Sequence, residues 1–283
     1  NLPYEDPVTG ASVIPNTGYD HPMWSWKHDQ ITTNTQRTVA GINFSYAFND
    51  NISASYRLGV NKYNLERREI RDLMSRADQG VGSITIDNFS NEDIESTLLI
   101  NFDYKLTESI GFKGLLGHNV FQNSTTRTAY YGREFAVPDV FSLRNTKTVT
   151  NLADGTTRAR RMGVFADVTF SYDDWLFLNG TARNDFSSTL PEDNRSYFYP
   201  SGSLSVILTE ALKLESNVLT FAKLRGSIAK VGRDTTAEFL SANFVLNNTF
   251  NGNPTVGNPS TLPDRNIKPE FAREFEVGTD LEF

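Results

Sequence analysis

Ile52-Ser53-Ala54-Ser55-Tyr56-Arg57-Leu58-Gly59-Val60 alternates two kinds of residue. On an extended chain, Ile52, Ala54, Tyr56, Leu58 and Val60 share one face, and Ser53, Ser55, Arg57 and Gly59 share the other. Period-two alternation marks a β-strand between two different environments. The residues just before it, Asn49-Asp50-Asn51, tolerate the left-handed backbone that a tight turn needs. Before that turn, residues 38–48 repeat the pattern, with Ile42, Phe44, Tyr46 and Phe48 opposite Gly41, Asn43, Ser45 and Ala47. Two such strands across a short turn make a hairpin.

Working outward, the pattern recurs at residues 96–106, 110–121, 161–172, 175–185, 197–208, 221–231 and 271–283, giving about nine strands. Short turns join some of them, at 107–109 and at Asp173-Asp174. Long polar excursions, 64–95, 122–160 and 232–268, join others. Loops beyond about 12–15 residues are uncommon in compact domains and usually functional. Here they alternate with short turns, so they share one side. The polar faces carry Arg57, Asp103 and Asp167, which suit water better than a dry core. These features predict an all-β fold: an antiparallel transmembrane β-barrel segment with long extracellular loops and short periplasmic turns. The odd strand count and the cut-looking ends lead us to expect a piece of a larger barrel, one partial barrel domain over residues 1–283.

Composition agrees. In 283 residues no apolar run approaches the roughly 18 that a spanning helix needs, and mean hydropathy is -0.41. A barrel strand needs only about 9–11 residues, half of them facing lipid. The 20 Phe and 11 Tyr suit aromatic girdles, although a large sandwich core would hold as many. There is no Cys, which excludes disulfides, thiolate metal sites and cysteine nucleophiles. A net charge of -7 argues against a nucleic-acid partner.

The motifs resemble those of the SusC/RagA family of TonB-dependent outer-membrane transporters of Bacteroidetes. The matching blocks run from Arg161-Met-Gly-Val-Phe-Ala-Asp167 to Tyr172, then through Arg183-Asn-Asp185-Phe-Ser187-Ser188 and Tyr197-Phe-Tyr-Pro200-Ser201 to Leu224-Arg-Gly-Ser227. The chain then closes on Ile267-Lys-Pro269-Glu270 and Glu276-Val-Gly-Thr-Asp280. Arg183, Asp185, Ser187, Ser188, Pro200, Pro269 and Glu270 are the family-motif positions. Phe186 replaces the family's glycine. Lys230-Val-Gly-Arg-Asp234 departs from its G-x-x-G-N. Neither plug domain nor TonB box is found in these residues. The resemblance implies a 22-stranded barrel in the cell outer membrane, in contact with lipid. It implies active import of oligosaccharides or peptides, a SusD-like surface lipoprotein as partner, and energy from TonB–ExbB–ExbD acting through the plug. It implies no cofactor. The competing readings are a soluble secreted β-sandwich that binds glycans or acts as an adhesin, and an outer-membrane barrel enzyme.

No catalytic constellation is present: GxSxG, HExxH, P-loop and dinucleotide fingerprints are missing. His118 is expected in a strand. His21 and His28, near Asp20 and Asp29, are expected to be solvated rather than to hold a metal. Residues 87–93 lack the glycine of a calcium loop. Glu192-Asp193 reads as surface charge rather than a glycosidase pair, which needs two carboxyls about 5–9.5 Å apart across a substrate. Aromatics expected in loops are the binding candidates, because sugar rings stack on them while nearby polar groups bond the hydroxyls. They are Trp24, Trp26, Tyr130, Tyr131 and Phe135, with Phe141 beside them and Arg133 as the polar group in the run Tyr130-Tyr131-Gly132-Arg133; packing within loops or against a partner lipoprotein is the competing role. Trp175, next to a short turn, reads as a girdle anchor. Residues 67–72, with alternating charge, are expected to form a short loop helix. Gly278-x-x-Leu281-x-Phe283 fits a barrel-assembly signal, although the family expectation is a continuing chain.

Overall fold

The computed structural model describes residues 3–14, 18–215, 218–236, 240, 244–259, 262–264 and 266–283, with the backbone alone for 245–249. A helix, α1 (Pro22–His28), precedes five long strands: β1 (Gln30–Asn49), β2 (Ile52–Arg71), β3 (Ser83–Lys105), β4 (Ile110–Phe135) and β5 (Thr146–Tyr172). Shorter strands follow: β6 (Leu176–Ser187), β7 (Ser196–Ile207), β8 (Phe221–Arg233), β9 (Val245–Phe250), β10 (Asn253–Gly257) and β11 (Glu270–Glu282). A one-turn helix, α2 (Leu208–Ala211), links β7 to β8. Nine strands form one antiparallel sheet in the order β1-β2-β3-β4-β5-β6-β7-β8-β11, and β9 pairs with β10 in a separate hairpin. A single sheet in near-sequential order replaces the two facing sheets that a sandwich would need.

The turns form for local reasons. The Asn49 side-chain oxygen accepts from the N–H groups of Asn51 and Ile52, at 2.9 and 2.8 Å. Asp173 and Asp174 both have positive φ, 43° and 57°, as a type I′ hairpin turn requires. Asn251-Gly252, at 49° and 76°, closes the β9–β10 hairpin the same way.

Three expectations are corrected. All nine strands of the sheet exist, but five are far longer than the alternation indicated. Much of the polar excursions 64–95 and 122–160 is strand, in β2, β3, β4 and β5. Alternation needs an apolar face, and where both faces meet water it disappears while backbone pairing continues. For the same reason residues 67–71 belong to β2 rather than to a loop helix, and Tyr130, Tyr131, Arg133 and Phe135 lie on β4 rather than in a loop. The third excursion, 232–268, contains β9 and β10; parts of it lie outside the described residues.

The chain divides into two compact units. The first holds Asn1–Val39, Asn61–Asp93 and Ser124–Thr157; the second holds Ala40–Val60, Ile94–Asn123 and Arg158–Phe283. The first unit has a small apolar core of Ile70, Ile84 and Phe135, with Phe141 edge-on to Phe135 at 5.8 Å. The second unit exposes its apolar face. Phe44 is 64% exposed and Phe275 75%, and Ile42, Tyr46, Val164, Leu178, Leu204 and Ile228 are exposed with them.

Candidate functional site: a packed polar layer and a clamped strand tip

In the second unit, β6 sets Arg183, Asp185 and Ser187 at alternate positions, hence on one face. The registers Arg183↔Tyr199 and Asp185↔Tyr197 bring the β7 tyrosines alongside, and Gly163↔Asp185 brings β5 to the other flank. Asp185 is only 8% exposed. It accepts from Arg183 Nε at 2.8 Å, and Tyr199 donates its hydroxyl to the other carboxylate oxygen. The Arg183 guanidinium also lies over the Phe165 ring, 5.0 Å from its centroid. Ser187 and Thr189 donate to Asp234, just past the end of β8, at 2.6 and 3.1 Å. Arg161 completes the group 3.6 Å from the other Asp234 oxygen and lies over Phe121 at 5.3 Å. Nearly buried carboxylates are retained because each is paired and hydrogen-bonded. Glycines leave the space. A Cβ at Gly163 would land on the Arg183–Asp185 pair, and one at Gly117 would land on the Phe165 ring. Together the layer lines a cavity of about 370 Å3.

The remaining motif positions act on the frame. Ser188 exchanges bonds with Arg160, 2.9 Å from its N–H and 2.8 Å to its Oγ, one step beyond the β5–β6 register. Pro200 lies opposite Ala182 and next to Ser201, where the β7–β8 register begins, so its missing N–H fits there. Pro269 immediately precedes β11, and Glu270 opens that strand opposite Arg233. The sequence motif indicated Arg183, Asp185 and Ser187. Of their partners, Tyr199 and Phe165 come from the neighbouring strands β7 and β5 and Asp234 from the segment just past β8, which only the register brings in, while Thr189 follows two residues after Ser187.

The first unit accounts for the aromatic candidates. Pro22 starts α1 with its fixed φ, and the His21 Nδ1 caps it by accepting from the Met23 N–H at 3.1 Å. Trp24 is fully buried, donates its indole N–H to the Gly10 carbonyl at 2.8 Å, and stacks on His28 at 4.5 Å. His28 in turn lies 3.1 Å from Asp72. Asp29 receives Arg71 at 3.2 Å, and Arg76 donates to the Ile14 carbonyl at 2.6 Å. These bonds fasten the N-terminal strap and α1 to the segment between β2 and β3. From β4, Tyr131 and Arg133 both donate to Asp78 in that segment, at 3.2 and 3.1 Å, while Phe135 enters the core. Trp26 remains 80% exposed, and Tyr130 is half-buried on β4. No group of three metal-ligating side chains occurs among the described residues. Trp175 sits in the β5–β6 turn, edge-on to Tyr172 at 5.7 Å. Asp167 is no isolated charge, since it accepts from Asn179 at 2.9 Å.

A sheet with an exposed apolar face and a packed polar layer on its strands is barrel-wall architecture. The family model of the TonB dependent receptor-like beta-barrel matches residues 1–283 in full. The chain belongs to the TonB-dependent receptor-like β-barrel family. As such it is an outer-membrane protein, of a family that is not an enzyme class. This receptor barrel is 25% identical over 251 residues to the TonB-dependent receptor P3 of Formosa agariphila, covering 84% of the chain and 24% of that relative. Its fold matches the RagAB peptide transporter with a TM-score of 0.85 at 16% identity, over 95% of the chain and 31% of the transporter chain. It matches the siderophore receptor PiuA of Acinetobacter baumannii less closely, with a TM-score of 0.50 at 12% identity, over 87% of the chain and 38% of the receptor. The receptor barrel thus spans about a quarter to two fifths of these relatives. The family expected from the motifs is borne out, and so is the all-β barrel fold.

Proposed function

We propose that these residues form part of the wall and outer rim of an active importer for oligomeric nutrients such as glycans or peptides. The observation that carries the reading is the two-faced second unit. Exposed Phe44 and Phe275 belong to one solvent, and the Arg183–Asp185–Tyr199 and Arg161–Asp234–Ser187 groups belong to another. A SusD-like lipoprotein caps the whole protein, and TonB–ExbB–ExbD opens it through a plug that these residues do not contain. The motif residues hold the wall's polar layer. Trp26 is the aromatic left free to meet a ligand or the cap, whereas Trp24, Tyr131, Arg133 and Phe135 hold the rim together. The likeness to the RagAB peptide transporter supports a peptide cargo.

The test uses cells lacking the full-length gene, grown on oligosaccharides or on peptides as sole nutrient. Growth on at least one class should fail, return with the wild-type gene, and stop again when the proton gradient is collapsed. Uptake that survives a collapsed gradient would remove active import. A full-length protein that stays monodisperse in water without detergent would remove the barrel itself.

A further inference from the structure

His28 joins three parts of the first unit. It ends α1, its ring stacks on the buried Trp24, and both of its nitrogens face carboxylates. Nδ1 lies 3.1 Å from Asp72 Oδ2, in the segment between β2 and β3. Nε2 is buried, makes no hydrogen bond, and lies 3.4 Å from Glu5 Oε1 in the N-terminal strap, an ion-pair distance. The other oxygen of each carboxylate is engaged already. Glu5 Oε2 accepts from Lys27 at 2.6 Å, and Asp72 Oδ1 accepts from the Leu73 N–H at 2.7 Å. Asp29, next to His28 in the chain, is taken by Arg71 at 3.2 Å, and Asp20 lies 3.7 Å from Arg76. The charges that face the ring are therefore Glu5 from the strap and Asp72 from the β2–β3 segment, with Lys27 of α1 beside Glu5.

A neutral imidazole carries one N–H and one lone pair. In either tautomer the lone pair of His28 would point at a carboxylate, so one of the two contacts becomes repulsive. The imidazolium donates from both nitrogens at once, and its charge is also attracted to the indole face it stacks on. The surroundings are built for the charged ring, and histidine is the side chain that ordinarily changes charge between pH 5 and 8.

We propose that His28 is a pH-operated latch: charged, it ties Glu5 of the strap to Asp72, and uncharged it lets the strap loosen. Stability held by a charged histidine is present at low pH and lost as pH rises. Glu5 stays ionised on the acid side, because the Lys27 hydrogen bond holds it below the usual carboxylate range, with the charges of Lys27 and His28 adding to this against burial. The strap's other histidine has the opposite sign. His21 Nδ1 accepts from the Met23 N–H at 3.1 Å, so charging it would remove the cap of α1 and loosen the region at low pH.

The test is hydrogen exchange in the full-length protein in detergent, followed at 3–14 and 22–29 from about pH 5.5 to 8.5, each rate divided by the intrinsic rate at that pH. Protection should fall about tenfold as pH rises, the scale of one hydrogen bond to a charged group. His28→Gln still donates and accepts but never charges, and should show low protection at every pH. His21→Asn keeps a cap acceptor, removes the competing titration and should leave the fall intact. The Asp87–Arg127 extension at 83–90 should stay level over the same range. Protection of the strap that is level or rises with pH, a fall that persists in His28→Gln, or one that disappears in His21→Asn would overturn the proposal.

Discussion

Asp185 and Gly163 show how single residues set the polar layer. The carboxylate is nearly buried and holds Arg183 and Tyr199 together. Asp185→Ala leaves the Arg183 cation without its partner and the Tyr199 hydroxyl without its acceptor. Arg183 is a third exposed, so the cost falls between surface and buried pairs, about 1–3 kcal/mol. Gly163→Ala acts from the opposite direction. Its new Cβ meets the guanidinium and the carboxylate and forces them apart, at about 1–3 kcal/mol of overpacking. Both variants should lower the temperature at which the full-length barrel loses its compact gel mobility. Gly180→Ala, with open space at its Cβ, should not. A Gly163→Ala barrel that melts like the wild type would mean the layer yields where the packing says it cannot.

At the scale of elements, the strand extensions decide how much of the sequence is readable. In β4, residues 110–121 alternate clearly, with Phe112 and Leu116 against Lys113 and Asn119. Beyond them, Gln122-Asn123-Ser124-Thr125-Thr126-Arg127 is polar on both faces, yet it is strand up to Phe135. Hydropathy reports the solvent on each face rather than the hydrogen bonds along the edge, so the extensions read as loops. Part of the polar layer was legible for the converse reason: Arg183, Asp185 and Ser187 share one strand at spacing two. Tyr199 and Asp234 reach the same place by register, which no local pattern states. The β3–β4 extension carries its own testable ion pair. Asp87, at the far end of β3 from the short turn, is held below the usual carboxylate range by the hydrogen bond and charge of Arg127, against a smaller opposing effect of burial. A depressed folded pKa gives stability that is present above the unfolded value of about 3.9 and is lost as pH falls through the lower folded one. Arg127→Gln should therefore destabilise the extension between pH 5 and 8, and the difference from wild type should close below about pH 4. Hydrogen exchange at 83–90 follows it directly. The N-terminal strap gives a second element test. Trp24→Ala removes the only fully buried tryptophan among the described residues, a loss of about 3–5 kcal/mol to that local unit. Limited proteolysis should then cut within 3–29 while β6 to β8 stay intact.

For the molecule as a whole, the decisive property is that one face of the second unit's strands is made for lipid. Phe44 and Asn43 are neighbours on β1 and point to opposite faces of the same strand. Phe44 is several residues from the Asn49 turn, which puts it well inside the roughly 9–11 residues a tilted strand spends in the membrane. An arginine on the lipid face near the midplane costs about 2–4 kcal/mol, and on the polar face it meets water. Phe44→Arg should therefore leave the full-length protein poorly inserted. Outer-membrane fractions would hold less of it, and more would remain as a heat-insensitive gel species. Asn43→Arg should assemble at close to wild-type yield, although it adds the same charge and bulk one residue away. A soluble protein would give the reverse order or no difference, because an exposed phenylalanine in water loses nothing by becoming arginine. Equal assembly of the two variants would show that the two faces of β1 meet the same solvent. The alternation in residues 38–60 would then no longer argue for a membrane, and the apolar face would need another cover.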